Sequence, residues 1–433
     1  MPGPRITNAV PAAVDWMTRS PVRAFAVVFV VSCAVRCLLL LIVPPEYVRP
    51  ESLTELGRVA RTLALTGQYA EPYGIPTGPT AHPLPVYTGL LALIYKLFGL
   101  TLTAGYVRSL LHIAATAAMF GLMPWLAARL GAGLPAGLIG GLGGALFPYQ
   151  GMNDAVGWYS GDSYAAVALG VLLVALVGRW TTGRGTLRGA LLIGLGWGAA
   201  FHVAPALLPV MLGCLAFELL WIRERRRWRA PAVMILGAAL ACAPWAARNY
   251  AAFHEVFFIR SNFGLELRLG NHEGAAATWD ELAAREGHGK GMRHPGGNPP
   301  EALRVRELGE AAYMREARTE ALTWIREHPA TFLRLAAQRV VHEWLGPLDG
   351  SPAAVGLFAL TVLALFGAWR LVPVLTVPER AALLMPLALF PLVYYLVPYS
   401  ARYRAPIDWI ILMLAGAAVW RSIGGSEPRG AQR

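Results

Sequence analysis

Ten apolar segments, each close to the length of a membrane crossing, leave this chain few folds to choose from. They lie at roughly 24–43, 104–128, 133–149, 163–178, 187–201, 204–222, 230–247, 353–369, 380–398 and 405–421. A spanning helix needs ~20 mostly apolar residues. The chain is 56% hydrophobic and 15% charged with a mean hydropathy of +0.46, far from the charge content of a soluble domain. The expected class is an all-α polytopic membrane protein. An eleventh run, 84–98, is short, begins HPLP and ends KLFG, which fits an interfacial helix better than a crossing. Residues 24–43 are too long for the core of a signal peptide, and Pro44-Pro45-Glu46 is a poor cleavage site, so a retained helix is expected.

Charge sets the orientation. The net charge is +12, almost all of it from Arg, since Lys96 and Lys290 are the only lysines. The Arg residues sit in short loops between apolar runs, which excludes a nucleic-acid footprint. With ten spans and a cytoplasmic N-terminus, the inner loops collect Arg19 and Arg23, Arg129, Arg179 with Arg184 and Arg188, the Arg223–Arg229 cluster, Arg370 with Arg380, and Arg421 with the tail. This series obeys the positive-inside rule and puts the C-terminus inside as well. Making 84–98 a crossing would put WIRERRRWR outside. Cys33, Cys37, Cys214 and Cys242 all fall in apolar runs, with no metal-ligand spacing and no loop pair for a disulfide.

The chain then divides into an N-terminal membrane module, 1–247, containing a long first outer loop, 44–103; an outer segment, 248–352; and C-terminal membrane helices with a tail, 353–433. In the outer segment a helix is expected from Pro300 to Glu327, with Asn298 near its cap, and a second over 330–346. The Gly-rich part of 270–298 reads as a loop.

The apolar runs hold almost no acids; Glu218, at an inner end, can reach the interface. Ion-coupled transporters place ionisable groups at mid-membrane. Here the acids gather in outer loops: Glu46, Glu51, Glu55 and Glu71 in the first, Asp154 and Asp162 in the second. If 50–66 is a helix, Glu51 and Glu55 share a face. That face is either a solvated amphipathic surface or the seat of a general base. His82, in PTGPTAHPLP, is either a turn residue or a site residue beside these acids. SARYRAPID places Arg402 and Arg404 outside, against the charge rule, among Tyr394, Tyr395, Tyr399 and Tyr403. These residues form either an aromatic belt with snorkelling Arg or a phosphate site, because the guanidinium fork gives paired charge-assisted bonds. Arg36 lies deep in the first span with no evident partner, and Arg108 lies near the outer end of the second.

ELGRVARTLALTGQYAEPYGIPTGPTAHPLPVYTGLLALIYKLFG, the run from Pro244 to Asn271 with IRSNFGLELRLGN, the stretch beginning HPGGNPPEALRVRELGE, and YRAPID together resemble bacterial membrane glycosyltransferases of family 39. Protein O-mannosyltransferases and lipid A aminoarabinose transferases are relatives of that family. The resemblance implies a GT-C-type bundle of about ten transmembrane helices, with interfacial helices in the first outer loop and a mainly helical outer segment. It implies a polyprenyl-phosphate sugar as donor substrate and no further cofactor. An acceptor hydroxyl on a glycan, lipid or protein would be glycosylated with inversion at the outer face of the bacterial cytoplasmic membrane. Glu55, which precedes LGRVA, would be the base, with Glu51 as rival. The better-known relatives carry Asp or Asp-Glu there, so this chain departs from them at the acid. Arg402, Arg404, His82 and Tyr403 would hold the donor phosphate, and Asp154 or Asp162 would supply a second acid. No metal motif is present. A lipid-linked saccharide flippase uses the same outer Arg cluster and is the alternative; a non-catalytic surface scaffold rests on the outer segment alone.

Overall fold

The computed structural model describes residues 6–50, 54–148, 150–158, 161–183, 185–222, 227–287 and 292–424. Glu51, Arg184 and most of the Arg223–Arg229 cluster lie outside the described residues.

Each of the ten apolar segments carries a helix, but fewer reach crossing length than expected. Among the described residues, six helices are long and apolar enough to cross a membrane: Pro21–Ile42, Leu102–Arg129, Gly161–Thr182, Arg229–Phe253, Ala354–Val374 and Ala401–Ser422. Leu134–Leu146, Leu187–Phe201, Pro205–Trp221 and Val377–Leu389 are shorter. Proline cuts three of them. Phe147 precedes Pro148, and the residue before a proline disfavours helix. Leu187–Phe201 stops ahead of Pro205. Val377–Leu389 tightens into a 3-10 turn, Phe390–Val393, around Pro391. The helix Arg229–Phe253 also runs past residue 247, the expected edge of the first module.

The bundle is held by backbone proximity as much as by bulk. A side chain on Gly140 would strike the Leu412 carbonyl, and one on Gly416 the Ala136 carbonyl. Leu134–Leu146 therefore lies directly against the last helix, as small residues allow where lipid gives no hydrophobic drive. Around this contact, Met123, Leu173, Trp197, Ile410 and Met413 form one apolar core.

Charges inside the bundle are paired. Arg36, 1% exposed, meets Asp154 at 3.2 Å and donates to Ser32 Oγ and the Gly144 and Ala145 carbonyls. Asp154 is thus the partner that the sequence left unnamed. Glu218 is buried and accepts from Arg179 Nε at 2.8 Å and from Trp180 Nε1. Arg108 donates to the Val156 and Val48 carbonyls, tying both outer loops to the second span.

On the outer side, Glu55–Thr66 packs on Pro85–Phe98 through Ala60, Leu91, Ala92 and Tyr95. At 14 residues, Pro85–Phe98 is ~21 Å long, short of the ~30 Å hydrocarbon core, in keeping with an interfacial position. The outer segment is helical: Phe263–Gly270, Trp279–Glu286, Pro299–Leu308, Glu310–Glu327 and Pro329–Leu345. One expectation changes here. The predicted helix from Pro300 to Glu327 breaks at Gly309, whose φ of 79° is a left-handed value that favours glycine. Ahead of the Gly-rich stretch lies Trp279–Glu286, capped by the Thr278 hydroxyl. Tyr73 of the first loop inserts into the core of this segment beside Leu265, Leu269, Tyr313 and Met314. The two outer regions therefore fold as one layer above the bundle.

Candidate active site

Glu55 opens its helix. Thr54, the extended N-cap, accepts from Gly57 N at 3.1 Å. A carboxylate in the first turn is favoured there by the helix dipole. The helix starts at Glu55, later than the 50–66 expected, and the expected shared face with Glu51 falls outside the described residues. The Glu55 side chain is 26% exposed and accepts no hydrogen bond among the described residues. Beside it lies His294 of the outer segment, Nδ1 to Oε1 3.9 Å. That Nδ1 accepts from Gly296 N at 3.0 Å, so it has no proton to give Glu55 and the carboxylate lone pairs stay available. A side chain on Gly296 would strike Glu55 Oε1, which shows how closely the 292–298 loop lies over the acid.

From His294 the contacts run inward. Its ring lies 6.0 Å from that of His82, and Tyr73 and His82 share a hydrogen bond of 3.3 Å. Burial, with the Arg260 and His294 charges added, pushes the His82 imidazole well below its usual range, so it is neutral. Arg260 Nε donates to the His82 carbonyl at 2.6 Å. The turn carrying His82 is also clamped by Glu310, which accepts from Ala81 N at 2.7 Å, Thr80 Oγ1 and Ser261 Oγ. Arg248 holds the Thr80 and Tyr69 carbonyls. Glu71 closes the turn below by accepting from Thr77 N and Gly78 N, a structural role.

Arg260 is the residue that sequence reasoning passed over. It feels the charges of Arg402, Glu266, Tyr394 and Tyr403. Burial lowers its pKa, and the neighbouring Arg402 lowers it further. Glu266 opposes that lowering, so the two guanidiniums share their surroundings with an acid. Ile259, just before it, has φ of 30°, an unusual value for a β-branched residue. The Ile259 carbonyl accepts from Trp245 Nε1 at 2.9 Å and Asn249 Nδ2 at 3.3 Å, which fixes the bend that aims Arg260.

The SARYR pair separates. Arg402 is half-buried, lies over the Tyr403 ring at 5.3 Å, and is within electrostatic reach of Asp162 and Arg260. Arg404 turns into the protein, where it meets Asp408 at 2.6 Å and donates to the Glu343 carbonyl at 3.0 Å. Tyr403 stacks on Tyr394 at 4.6 Å, and its hydroxyl accepts from Trp279 Nε1 at 3.0 Å. The backbone of Ala277 and Trp279 pairs with Tyr399, docking the outer segment on the last helix.

Of the second-loop acids, Asp154 is taken up by Arg36, with burial raising its pKa and Arg36 opposing that rise. Asp162 and Asp154 line one cavity with Asp408 and His112, and Asp162 Oδ2 lacks a hydrogen-bond partner. Among the described residues no three His, Cys, Asp or Glu converge as a metal-holding group.

No model of a protein family matches the sequence, and no curated protein matches it. Among solved structures, the oligosaccharyltransferase AglB from Archaeoglobus fulgidus, in complex with an inhibitory peptide and a dolichol-phosphate, superposes with a TM-score of 0.52 at 17% identity, over 92% of this chain and 50% of that one. The same organism's oligosaccharyltransferase with Zn and sulfate gives 0.49 at 16% identity over 91% and 49% of the two chains. The chain thus spans about half the length of the solved structures it matches. The first likeness establishes the fold alone: this is a multi-pass helical membrane protein of the GT-C type.

Proposed function

We propose that the protein is an integral membrane glycosyltransferase of the family 39 kind. It would transfer a sugar from a polyprenyl-phosphate donor to an acceptor hydroxyl at the outer face of a bacterial cytoplasmic membrane. The observation that carries this reading is a carboxylate with free lone pairs, Glu55, joined through His294 and His82 to a pair of like-charged guanidiniums, Arg260 and Arg402. That the solved AglB complex holds a dolichol-phosphate agrees with a lipid-phosphate donor.

Glu55 takes the acceptor's hydroxyl proton as that oxygen attacks the anomeric carbon. The new O–C1 bond forms as the bond from C1 to the phosphate oxygen breaks, and the polyprenyl phosphate leaves with its charge. Arg260 and Arg402 hold that charge, with Tyr403 and neutral His82 at its edge. Arg404, paired with Asp408, acts by keeping the SARYR turn in place. Fixed donors aimed at developing charge are usually the largest catalytic contribution. A positioned base typically adds ~10²–10⁴-fold. Asp162, near Arg402, is the better placed of the second-loop acids, since Asp154 is engaged by Arg36.

Reconstitution in vesicles with a polyprenyl-phosphate sugar tests the reading, with donor and acceptor pools from a deletion strain read by mass spectrometry. Glu55→Gln is expected to insert and fold normally and to lose at least ~10²-fold in transfer. If Glu55→Gln is fully active and Glu51→Gln is dead, the base moves to Glu51. Full activity in both sinks the first-loop mechanism, and lipid translocation without transfer replaces the transferase with a flippase.

A further inference from the structure

The outer segment carries a second pocket that the transfer chemistry does not use. It has a volume of about 170 Å³ and is lined by Arg268, His272, Glu273, Arg293, Glu320 and Trp324. For scale, an engineered cavity of ~150 Å³ accepts benzene. The space therefore takes one six-membered ring.

Two buried donors in its wall have no partner: Arg268 Nε and Trp324 Nε1. Arg268 is 2% exposed, so that N–H sits deep in the wall. The Nη2 end of the Arg268 fork is engaged, and Nη1 lies 3.7 Å from Glu320 Oε2. Nη2 donates to Glu301 Oε2 and the Arg293 carbonyl, each at 2.8 Å, and to the Tyr313 hydroxyl. Arg293 in turn meets Glu320 at 2.8 Å. Each guanidinium is thus matched by a carboxylate, so the lining offers no surplus positive charge for a free anion. It offers an indole, two orphaned donors, and the Glu273 and Glu320 carboxylates as acceptors. Apolar ring contact with paired donors and acceptors around it is the chemistry that recognises a neutral sugar.

The pocket also adjoins the reacting end of the molecule. The Arg293 carbonyl held by Arg268 belongs to the residue just before His294, which lies 3.9 Å from Glu55. We propose that this pocket binds a neutral sugar ring of the acceptor and presents a hydroxyl across the 292–296 loop to Glu55, so that the acceptor is itself a glycan or glycolipid. This rests on the transferase reading, but it can fail separately from it.

Binding is measured on the purified full-length protein by equilibrium dialysis and saturation-transfer NMR, with mannotriose, maltotriose and triacetylchitotriose as probes and sodium sulfate as an anionic control. At least one trisaccharide is expected to bind with Kd below ~10 mM. Trp324→Phe keeps an aromatic ring against Ala275, Ala277 and Leu335 and removes the indole N–H together with its five-membered ring. It should weaken binding ~3–10-fold, the worth of one hydrogen bond. Glu273→Gln, on the exposed rim, should weaken it by a similar factor. If no trisaccharide binds, if neither rim variant alters binding, or if sulfate displaces the sugar, the inference is overturned. A protein that transfers sugar yet binds none of the probes sinks this proposal alone. One that binds them but transfers nothing sinks the transferase reading alone.

Discussion

Arg260 lies within electrostatic reach of both Glu266 and Arg402, and a bound anion beside the two guanidiniums would be stabilised there. Its Nε is committed to the His82 carbonyl, which leaves the other edge of the fork for the donor phosphate. Lysine keeps the charge and loses the fork, so the substitution is not conservative at such a site. Arg260→Lys is expected to cut kcat/KM for the lipid-phosphate donor by ~10²-fold, with the acceptor KM unchanged. Kinetics at varied donor concentration check this. An unchanged donor kcat/KM would falsify the assignment and return the phosphate to Arg402 alone. The legibility of these residues differs for physical reasons. Glu55 was legible because an acid before an amphipathic helix in an outer loop is rare in so apolar a chain. Arg404 was legible as an outside Arg, but sequence could not show that Asp408, one helical turn on, draws it inward. Arg260 carried a weaker mark, one Arg after a Phe-Phe-Ile run. Its importance comes from the bend at Ile259 and from Arg402, 142 positions along the chain by subtraction of their numbers.

Helices and turns tell a similar story at the next scale. The apolar runs were legible as helices, because hydropathy needs no partner to be read. Their lengths were less so, since Pro148, Pro205 and Pro391 end helices inside or beside apolar runs that continue past them. The break at Gly309 was hidden by the helix formers on both sides of it. The helix Pro329–Leu345 shows a further cost that no pattern reveals. Its Glu343 is 1% exposed, and neither carboxylate oxygen has a hydrogen-bond partner. Around it lie Arg404 and Asp408 of the last span and Tyr394, Tyr395 and Tyr399 from the turn before it. Burial pushes the Glu343 carboxyl up to about 8, with Arg404 opposing and Asp408 adding. The folded protein therefore holds a proton there that the unfolded chain releases near pH 4.5. Its contribution is complete below that value and is lost as pH rises through about 8. Glu343→Gln fixes the neutral form. The variant should match the wild type near pH 5 and exceed its Tm by roughly 2–4 °C or more at pH 9. Thermal melts in detergent across that range decide it; an equal pH slope in both proteins would show that the proton is not held at Glu343.

At the scale of the whole molecule, the proposal depends on one directional fact: Glu55, Arg260, Arg402 and the outer segment must share a face of the membrane. The contacts already require them to be together. Tyr73 sits in the core of the outer segment, Glu310 grips the turn at Ala81, and the backbone at Trp279 pairs with Tyr399. Which face they occupy is set by charge. Arg129 and Arg179 end the spans Leu102–Arg129 and Gly161–Thr182, and Arg421 lies in the last turn of the final helix. The first-loop end of Leu102–Arg129 and the Arg402 end of the last helix lie opposite these arginines along their own helices. By the positive-inside rule Arg129, Arg179 and Arg421 are expected on the cytoplasmic side, and the proposed site would then face outward. The four native cysteines lie in apolar helices, so single introduced cysteines are readable in a background where those four are replaced by Ala or Ser. Thr66, Glu327, Thr182 and Ser422 are all exposed. A membrane-impermeant maleimide on intact cells should label Thr66→Cys and Glu327→Cys. Thr182→Cys and Ser422→Cys should react only after permeabilisation. The reverse pattern would place the donor phosphate in the cytosol and invert the proposed reaction's side. Labelling of Thr66→Cys and Glu327→Cys from opposite faces would contradict the shared outer layer itself, because a single bilayer cannot pass between Tyr73 and the core it completes.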